Sequence, residues 1–185
     1  MILLARHGET DDNAPPQRVQ GSIDTPLNDR GRAQARTLAA EVADAGLRAI
    51  VTSQLARARE TAAIVGAAVG LEPTVDPRLA ESFRGAWEGR LLVDIERDDP
   101  EAFAAWQAGG AAFRFPGGES LGEHQARVLA ALADVAAGPT PALAVTHGGS
   151  IRVALAATRP AGLDEFFTIA VPNAGVFRFD AVQAA

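Results

Sequence analysis

The 185-residue sequence contains no cysteine, no lysine and no tyrosine, and only one methionine. Without cysteine the chain can form neither disulfides nor thiolate metal sites, and it cannot use a thiol as a nucleophile. Without lysine it can form no Schiff base, and it lacks the lysine of a Walker phosphate-binding loop. Because the chain also shows no signal peptide, we expect a cytoplasmic location.

Long apolar runs and an excess of positive charge are missing as well. No stretch approaches the roughly 18 consecutive apolar residues of a membrane helix, so we expect no membrane partner. The net charge of −6 argues against a nucleic-acid partner. All 17 basic residues are arginines, and several of them could still converge locally to bind a small anion.

The remaining composition is that of a folded domain. Hydrophobic residues make up 48% of the chain, which is enough for a sizeable core, and we expect one domain over residues 1–185. Short apolar runs alternate with helical patterns, which predicts an α/β fold. The predicted strands are 2–5, 49–52, 73–76, 142–146, 166–171 and 176–179.

Polar residues that favour helix starts lie between these strands. Either Asn28 or Asp29 can be the N-cap of the first helix, and Ser53 is a candidate N-cap for the second. Ser120 and Glu123 have the spacing of a capping box. Residues 91–108 also show a helical pattern, so helices are expected after most of the strands.

The most informative stretch is Arg6-His7-Gly8-Glu9-Thr10, which follows the first predicted strand and is itself followed by Asn13. Open α/β sheets bind ligands at the carboxyl ends of their strands. Arginine presents a fork of donors that matches phosphate oxygens, and neutral histidine is a nucleophile. Gly8 would let backbone amides approach an anion closely. Taken alone, the stretch could also contain a histidine that merely caps a strand.

Later parts of the chain offer further candidates. Arg57 falls in the first turns of a helix, whose start favours anions, whereas Arg59 has the pattern of a solvated surface charge. The fourth predicted strand runs directly into His147, which repeats the arrangement of the first strand. Glu81 lies in a loop and is either a surface carboxylate or a general acid. His124 falls inside a helical pattern, which indicates a structural or surface position.

Two histidines, two arginines and one carboxylate are a set that suits phosphoryl transfer. One histidine can attack phosphorus while the arginines and the other histidine hold the equatorial oxygens. The carboxylate can protonate the leaving alkoxide and then deprotonate water. The cationic groups supply the positive charge that a metal would otherwise provide, so we expect neither a metal nor another cofactor.

Six groups of residues occur in a characteristic order along nearly the whole chain. They are Arg6-His7-Gly8 with Asn13, Gln20-Gly21 with Pro26-Leu27, Ser53 with Arg57, Glu81 with Trp87-Glu88-Gly89, Pro116-Gly117-Gly118-Glu119-Ser120, and Thr146-His147-Gly148. In this order they resemble the histidine phosphatase superfamily, the phosphoglycerate-mutase-like clan. A single Arg-His-Gly is a weak signal, whereas six motifs in order are specific.

The resemblance implies a three-layer α/β fold with a mixed, mainly parallel sheet flanked by helices. It also implies that His7 is the phosphorylated nucleophile, through Nε2, and that Glu81 is the proton donor and acceptor. The implied catalytic set is His7, Glu81, Arg6, Arg57 and His147. The substrate-binding set is Arg6, Gly8, Asn13, Gln20, Gly21, Arg57, Glu81, His147 and Gly148.

Within this family, residues 85–89 and 116–120 are most similar to the broad-specificity and α-ribazole phosphatases. We therefore expect metal-independent hydrolysis of a small phosphomonoester. The first alternative is a cofactor-dependent phosphoglycerate mutase. Such mutases carry longer insertions and an arginine and a tyrosine soon after the acid-loop glutamate, whereas this chain is short and has no tyrosine.

Two further alternatives belong to other classes. The protein could be a non-catalytic phospholigand-binding module, although such a module would usually have lost a histidine or the acid. It could also be a metallohydrolase in which His7, His147 and Glu81 ligate zinc, although the nearby arginines would repel a dication.

Substrate specificity and assembly are the least determined features. Residues 91–115 match no chemically interpretable motif, and we expect specificity to reside there. Members of the resembled family occur as monomers, dimers and tetramers, so a homodimer is compatible with the chain.

Overall fold

The computed structural model describes residues 1–180 and is built around one sheet. Its strands are β1 (Ile2–Arg6), β2 (Ala49–Thr52), β3 (Thr74–Val75), β4 (Ala142–Thr146) and β5 (Val176–Phe179). Their spatial order is β3-β2-β4-β1-β5. β5 runs antiparallel to β1, and the other neighbouring pairs are parallel. The expected mixed, mainly parallel sheet is therefore confirmed.

Helices connect the strands and cover the sheet. Within residues 1–180 they are α1 (Asp29–Glu41), α2 (Ala56–Val69), α3 (Leu92–Asp98), α4 (Pro100–Ala108), α5 (Leu121–Ala137) and α6 (Gly148–Ala156), with short 3-10 helices at Pro77–Leu79, Gly85–Trp87 and Gly162–Thr168. No helix in this part of the chain combines the length and the apolar character needed to cross a membrane.

The central strand β4 is buried on both faces, which produces three layers. Ala142 and Ala144 belong to the hydrophobic cluster that includes α5 and α6, whereas Leu143 and Val145 belong to the cluster that includes α1 and α2. Side chains alternate between the two faces of a strand. A strand covered on both faces is therefore apolar at successive positions, as β4 is.

Two predicted helix starts are confirmed. The side chain of Asn28 accepts the N–H of Gly31 at 2.8 Å and caps α1. Ser120 and Glu123 form both hydrogen bonds of a capping box at the start of α5. Each cap satisfies backbone N–H groups that the first turn of a helix leaves unpaired.

The predicted cap at Ser53 is wrong. α2 begins at Ala56, and its N-cap position is Leu55, which offers no capping side chain. The carboxylate of Asp24 accepts the N–H of Ala56 instead. Ser53 lies before the helix, where its hydroxyl binds His147, so its polar side chain serves another part of the molecule.

The strand predicted at residues 166–171 is also wrong, because residues 166–168 belong to the 3-10 helix Gly162–Thr168 and residues 169–171 form no strand. Leu163 and Phe166 are buried there, and the 3-10 helix packs against α6. The edge of β1 that a strand could have joined is already paired with β5. Over so few residues, alternating apolar positions fit a 3-10 helix as well as a strand.

Two other predicted elements are confirmed only in part. The helical pattern at 91–108 is divided into α3 and α4 at Asp99, and Pro100 begins α4 because proline lacks the N–H that a continuous helix would use. The strand predicted at 73–76 is reduced to the two residues of β3, which pair with β2.

The register of the parallel strands positions the site. Arg6 lies opposite Thr146, so the next residues, His7 and His147, leave the sheet side by side. Ser53 follows β2 in the same way. Three neighbouring strands therefore end in polar residues at one edge of the sheet, which is where parallel α/β sheets place their ligands.

Candidate active site

The two strand-end histidines form the centre of the site. The ring centroids of His7 and His147 lie 5.1 Å apart, and the rings meet edge to face. Both side chains are buried, with His7 3% exposed and His147 fully covered. Two imidazoles that lie 140 residues apart in the chain are thus brought together by the pairing of β1 with β4.

His7 is held in one tautomer. Its Nδ1 lies 2.7 Å from the carbonyl oxygen of Gly8, and a carbonyl oxygen can only accept a hydrogen bond. Nδ1 therefore carries the hydrogen, and Nε2 of the neutral ring is unprotonated. Burial, followed by repulsion from Arg57 and Arg6, lowers the pKa of His7 well below its usual value. A neutral ring with an unprotonated Nε2 can act as a nucleophile.

His147 forms its hydrogen bond through the other ring nitrogen, Nε2. Its Nε2 lies 2.8 Å from the Ser53 hydroxyl, whereas its Nδ1 has no partner among the described residues. Burial and repulsion from Arg57 also lower the pKa of His147 well below its usual value. When Ser53 donates to Nε2, the hydrogen of the neutral ring lies on Nδ1, which is then available as a donor to a ligand.

Arg6 and Arg57 bring positive charge to the site. Arg6 donates from Nη1 to the carbonyl of Val171 at 2.6 Å, and Arg57 donates from Nη1 and Nη2 to the carbonyls of Ile23 and Gly21 at 2.6 and 2.8 Å. Burial lowers the pKa of both arginines to about 10, so both remain cations at neutral pH. These carbonyl contacts fix both guanidinium groups but neutralise neither charge.

Unpartnered donors are concentrated around His7. Within residues 1–180, the buried nitrogens at this site that lack a hydrogen-bond partner are Arg6 Nε, Arg57 Nε, Asn13 Nδ2 and His147 Nδ1. The Asn13 amide is oriented by the N–H of Thr10, which donates to its Oδ1 at 3.0 Å. An unpartnered buried donor costs about 1–3 kcal/mol. Four of them at one place indicate a site for an anion with several acceptor oxygens.

Glu81 lies in the same site and is held at both oxygens. Oε2 accepts the N–H of Gly149 at 2.9 Å, and Oε1 accepts the N–H of Ser82 at 2.9 Å. Burial alone would raise the pKa of this carboxyl. Arg84, whose Nη2 lies 3.6 Å from Oε2, leads the attractions that outweigh burial and hold the pKa well below its usual value. Without a bound anion, Glu81 is therefore a carboxylate.

Backbone contacts also position the loop that carries Glu81. Arg127, on α5, donates to the carbonyls of Arg78 and Ala80 at 2.7 and 2.8 Å and to that of Glu81 at 3.1 Å. Its guanidinium also pairs with Glu119 at 2.7 Å. Arg127 is a functional position that the sequence analysis missed, although Glu119 was part of a recognised motif.

His124 is not a surface residue, because it is fully buried and lies beside Glu81. Its Nε2 is 2.9 Å from the Ser150 hydroxyl and 4.0 Å from Glu81 Oε1. Ser150 donates to the carbonyl of Ala80 at 2.9 Å, so Nε2 of His124 donates to Ser150. Burial lowers the pKa of His124 to about 4, so the ring is neutral at pH 7. The helical pattern around His124 in the sequence could not predict its position beside Glu81, because the two residues are distant in the chain.

The expected contact between Gly8 and an anion is not available. The N–H of Gly8 donates to the Thr61 hydroxyl at 3.1 Å. A Cβ at this position would collide with the carbonyl of Gly31. Glycine is therefore needed here because the loop approaches the start of α1 closely, and not because the backbone approaches a ligand.

Most of the other predicted residues line a cavity of about 280 Å³. Gln20, Gly21 and Gly148 contribute to its wall, together with Arg6, His7, Asn13 and Glu81. Arg57 and His147 lie behind this wall with no exposed side-chain area. The predicted site residues other than Gly8 are therefore gathered at or directly behind one cavity, whose volume suits a small molecule.

The wall opposite the histidines comes from the segment that the sequence left uninterpreted. Leu92, Phe103, Trp106 and Gln107 from residues 91–115 line the cavity. Trp106 is only 6% exposed, and its indole N–H has no partner among the described residues. Part of the segment in which we expect specificity to reside therefore borders the same cavity as His7.

The described residues include no group of three or more His, Asp or Glu side chains arranged to hold a metal ion. The zinc alternative required His7, His147 and Glu81 as such a group. Arg57 lies close enough to His7 and His147 to lower the pKa of both rings by repulsion. Arg6 acts on His7 in the same way, so a dication would be repelled as well. The donor set therefore favours an anion over a dication.

Comparisons with known proteins agree with this geometry. The model of the Histidine phosphatase superfamily (branch 1) matches residues 2–183. A relative from Serratia proteamaculans, named probable phosphoglycerate mutase GpmB, is 38% identical over 149 residues, which are 80% of this chain and 69% of that protein.

Two solved structures are similar over almost the whole chain. The mycobacterial glucosyl-3-phosphoglycerate phosphatase in complex with VO3 has a TM-score of 0.84 at 33% identity, over 95% of this chain and 88% of that one. The α-ribazole phosphatase from Shigella flexneri has a TM-score of 0.80 at 28% identity, over 95% of this chain and 87% of that one. This chain therefore belongs to the histidine phosphatase superfamily, branch 1, and has its phosphoglycerate-mutase-like fold.

Proposed function

We propose that the protein hydrolyses phosphomonoesters of small metabolites through a phosphohistidine intermediate, without a metal. The observation that carries this proposal is the arrangement around His7. His7, whose Nε2 is unprotonated, lines the cavity, and four unpartnered buried nitrogens belong to residues of the same site. A phosphoryl group has the charge and the acceptor oxygens to satisfy these donors.

In the first step, His7 Nε2 attacks phosphorus and the bond between phosphorus and the ester oxygen breaks. Arg6, Arg57 and the Nδ1–H of His147 stabilise the charge on the equatorial oxygens. The ester binds as its monoanion and brings a proton with it. The phosphoryl charge raises the pKa of Glu81, which takes up this proton and passes it to the departing alkoxide.

In the second step, the Glu81 carboxylate removes a proton from water as the water oxygen attacks the phosphohistidine. The bond between phosphorus and Nε2 breaks, and inorganic phosphate leaves with the neutral imidazole restored. Glu81 is available for this base role because it is ionised once it has delivered the first proton to the alkoxide.

Phosphoglycerate mutase is the second candidate, because curated relatives carry that name. A mutase must protect its phosphohistidine from water until the product alcohol accepts the phosphoryl group. The similar solved structures are named as phosphatases, and they match this short chain along 95% of its length. These similarities and the absence of tyrosine support hydrolysis.

The direct test is phosphate release from a panel of phosphomonoesters in the presence of EDTA. The panel contains 3-phosphoglycerate, sugar phosphates, nucleotides, α-ribazole phosphate and p-nitrophenyl phosphate. We expect release that EDTA does not inhibit, with an acid-labile phosphoenzyme on His7 after rapid quenching. Isomerisation of 3-phosphoglycerate that depends on 2,3-bisphosphoglycerate, without net release, would instead establish the mutase.

A further inference from the structure

The peptide group that holds the ring of His7 has a second partner outside the cavity. This peptide group joins Gly8 to Glu9. Its carbonyl oxygen belongs to Gly8 and lies 2.7 Å from His7 Nδ1. Its N–H belongs to Glu9 and donates to Oε1 of Gln34, on α1, at 2.8 Å. Within residues 1–180, Gln34 is not part of the cavity wall, so one peptide group connects a remote side chain to the nucleophile.

The direction of each hydrogen bond in this series is fixed by its groups. A backbone N–H can only donate, so the atom of Gln34 that faces it is the amide oxygen. A carbonyl oxygen can only accept, so His7 Nδ1 supplies the hydrogen. The series therefore runs without a break from Nδ1–H through the peptide group to Oε1, and we call it the Gln34 relay. Linked hydrogen bonds polarise one another, so the contact with Gln34 makes the Gly8 carbonyl a better acceptor.

Close packing of α1 brings Gln34 to this peptide group. A Cβ on Gly8 would collide with the carbonyl of Gly31, and a Cβ on Gly31 would collide with the backbone of Glu9. Gln34 follows Gly31 by three residues, so the two lie on the same face of the helix. The two glycines thus allow the helix to approach until a side chain of its second turn reaches the Glu9 N–H.

Other contacts hold the backbone on both sides of the peptide group. The N–H of Gly8 donates to the Thr61 hydroxyl at 3.1 Å. The carbonyl of Glu9 accepts the N–H of Asn28 at 3.0 Å. Gln34 itself is half-buried and belongs to neither contact. We therefore expect a substitution of Gln34 to change the polarity of the relay and not the path of the loop.

The relay has its largest effect when the ring becomes charged. As the bond between His7 Nε2 and phosphorus forms and the bond to the ester oxygen breaks, the neutral imidazole becomes a phosphorylated imidazolium. Its Nδ1–H then donates as part of a cation, and charge-assisted hydrogen bonds are stronger than neutral ones. A better acceptor at Gly8 therefore stabilises the phosphorylated ring more than the free ring. It also favours the tautomer with an unprotonated Nε2, which is the form that attacks.

We propose that Gln34 is a positioning residue for phosphoryl transfer, which selects the reactive tautomer of His7 and stabilises the phosphohistidine through the peptide group between Gly8 and Glu9. The inference rests on the proposed phosphatase function, because both assign the attack on phosphorus to His7. Gln34 touches no reacting atom in this scheme. Its contribution should therefore appear in the chemistry of the ring and not in the binding of phosphate.

Single-turnover kinetics of Gln34→Met on p-nitrophenyl phosphate tests the proposal. Methionine keeps the length of the side chain but offers the Glu9 N–H only a weakly accepting sulfur. Phosphorylation of His7 should slow by about threefold to tenfold, which is the contribution of one neutral hydrogen bond. Breakdown of the phosphoenzyme should not slow, because the variant destabilises the phosphorylated ring. The inhibition constant of inorganic phosphate should not rise, because the donors of the phosphate pocket are unchanged.

The ¹H and ¹⁵N shifts of the imidazoles report the relay without any turnover. In Gln34→Met the Nδ1 proton of His7 should move upfield and the share of the Nε2–H tautomer should rise, whereas the shifts of His147 should stay the same. Gln34→Glu keeps an acceptor oxygen and should restore both the shifts and the rate. Gln125→Met is the matched control, because it removes a glutamine that binds the carbonyl of Val153 at 2.8 Å, and it should change neither.

The outcomes separate this proposal from the function on which it rests. An unchanged rate of phosphorylation or an unchanged Nδ1 shift in Gln34→Met overturns the role of Gln34 alone. Equal slowing of both steps, or a Gln34→Glu variant that restores nothing, also overturns it, because a merely structural role predicts these results. If Gln34→Met does not fold, Gln34→Asn replaces it, since the shorter side chain cannot reach the Glu9 N–H. A failure of the unaltered protein to form a phosphoenzyme overturns the proposed function and this inference with it.

Discussion

The ends of β1 and β4 present the same local sequence pattern but opposite chemistry. Both strands are apolar, and each is followed by histidine and glycine. His7 is tied through Nδ1 to its neighbour Gly8, which leaves Nε2 without a hydrogen. His147 is tied through Nε2 to Ser53 at the end of β2, which leaves Nδ1 unpartnered.

The difference shows that the hydrogen-bond partner, and not the residue type, assigns the role of each imidazole. Burial lowers the pKa of both rings, so both are neutral at pH 7. A neutral imidazole has one donor and one acceptor nitrogen, and the partner decides which one faces the ligand. One ring therefore offers a lone pair, while the other can offer a hydrogen.

Removing each histidine in turn should cause the largest losses of activity, and the two losses should differ in kind. His7→Ala should lower kcat by about 10⁴-fold or more and abolish the phosphoenzyme, because the nucleophile is lost. His147→Ala should lower kcat by about 10²–10³-fold, as the loss of one oxyanion donor does, and should still form the phosphoenzyme. Rapid-quench labelling measures both effects. A phosphoenzyme that persists in His7→Ala but not in His147→Ala would reverse the assignment.

The next largest effect is expected at Glu81, the proposed proton donor of the same site. Glu81→Gln keeps the shape of the side chain but cannot transfer a proton. It should slow hydrolysis of alkyl phosphates by about 10²–10⁴-fold and of p-nitrophenyl phosphate far less, because nitrophenolate leaves without protonation. Steady-state kinetics on a series of leaving groups checks this. Equal losses across the series would exclude Glu81 as the acid.

A smaller effect is expected from removing the hydrogen bond that favours one tautomer of His147. Ser53→Ala removes the hydrogen bond to His147 Nε2 and should lower kcat by about tenfold, since the Nδ1–H form is no longer favoured. Ser22→Ala is the control, because Ser22 binds Glu88 and not a histidine. ¹⁵N shifts of the imidazole nitrogens report the tautomer directly. An unchanged His147 tautomer in Ser53→Ala would show that Ser53 does not select it.

The third buried histidine allows a prediction about stability and not about turnover. The pKa of His124 is about 4 in the folded chain and near 6.5 when it is exposed, so the unfolded chain binds the proton more tightly. Stability should therefore fall as the pH drops from about 6.5 to 4, by on the order of 3 kcal/mol from this residue.

His124→Asn tests this prediction because asparagine can still donate to Ser150 but does not titrate. Urea unfolding at pH 7 and pH 4.5 measures the free energy of unfolding for both proteins. The acid loss should be smaller in the variant. Identical losses would show that His124 does not contribute to the loss of stability in acid. His7 and His147 titrate in the same direction, but they are present in both proteins and therefore cannot cause a difference between them.

The residues that line the cavity beyond the predicted set show why part of the site could not be found from the sequence. Arg152 lies five residues after His147 at the start of a helix, and Arg57 lies four residues after Ser53 before another helix start. The same rule could therefore have identified Arg152. Trp106 and Phe103 carried no such signal, because aromatic residues with helical spacing are usually ordinary core residues.

The sequence by itself determined the alternation of strands and helices, two helix caps and the strand ends that carry His7 and His147. These features depend on side-chain periodicity and on neighbours within a few residues, which the sequence records directly. The family followed from motifs whose order is also a property of the sequence.

Only the tertiary structure decided that Nε2 of His147 is bound by Ser53, that His124 lies beside Glu81, and that Gly8 packs on α1. Each of these depends on a contact between distant positions, such as the 94 residues that separate Ser53 from His147. Such contacts arise from the register of β1, β4 and β2 and from the packing of α5, and no local pattern encodes either.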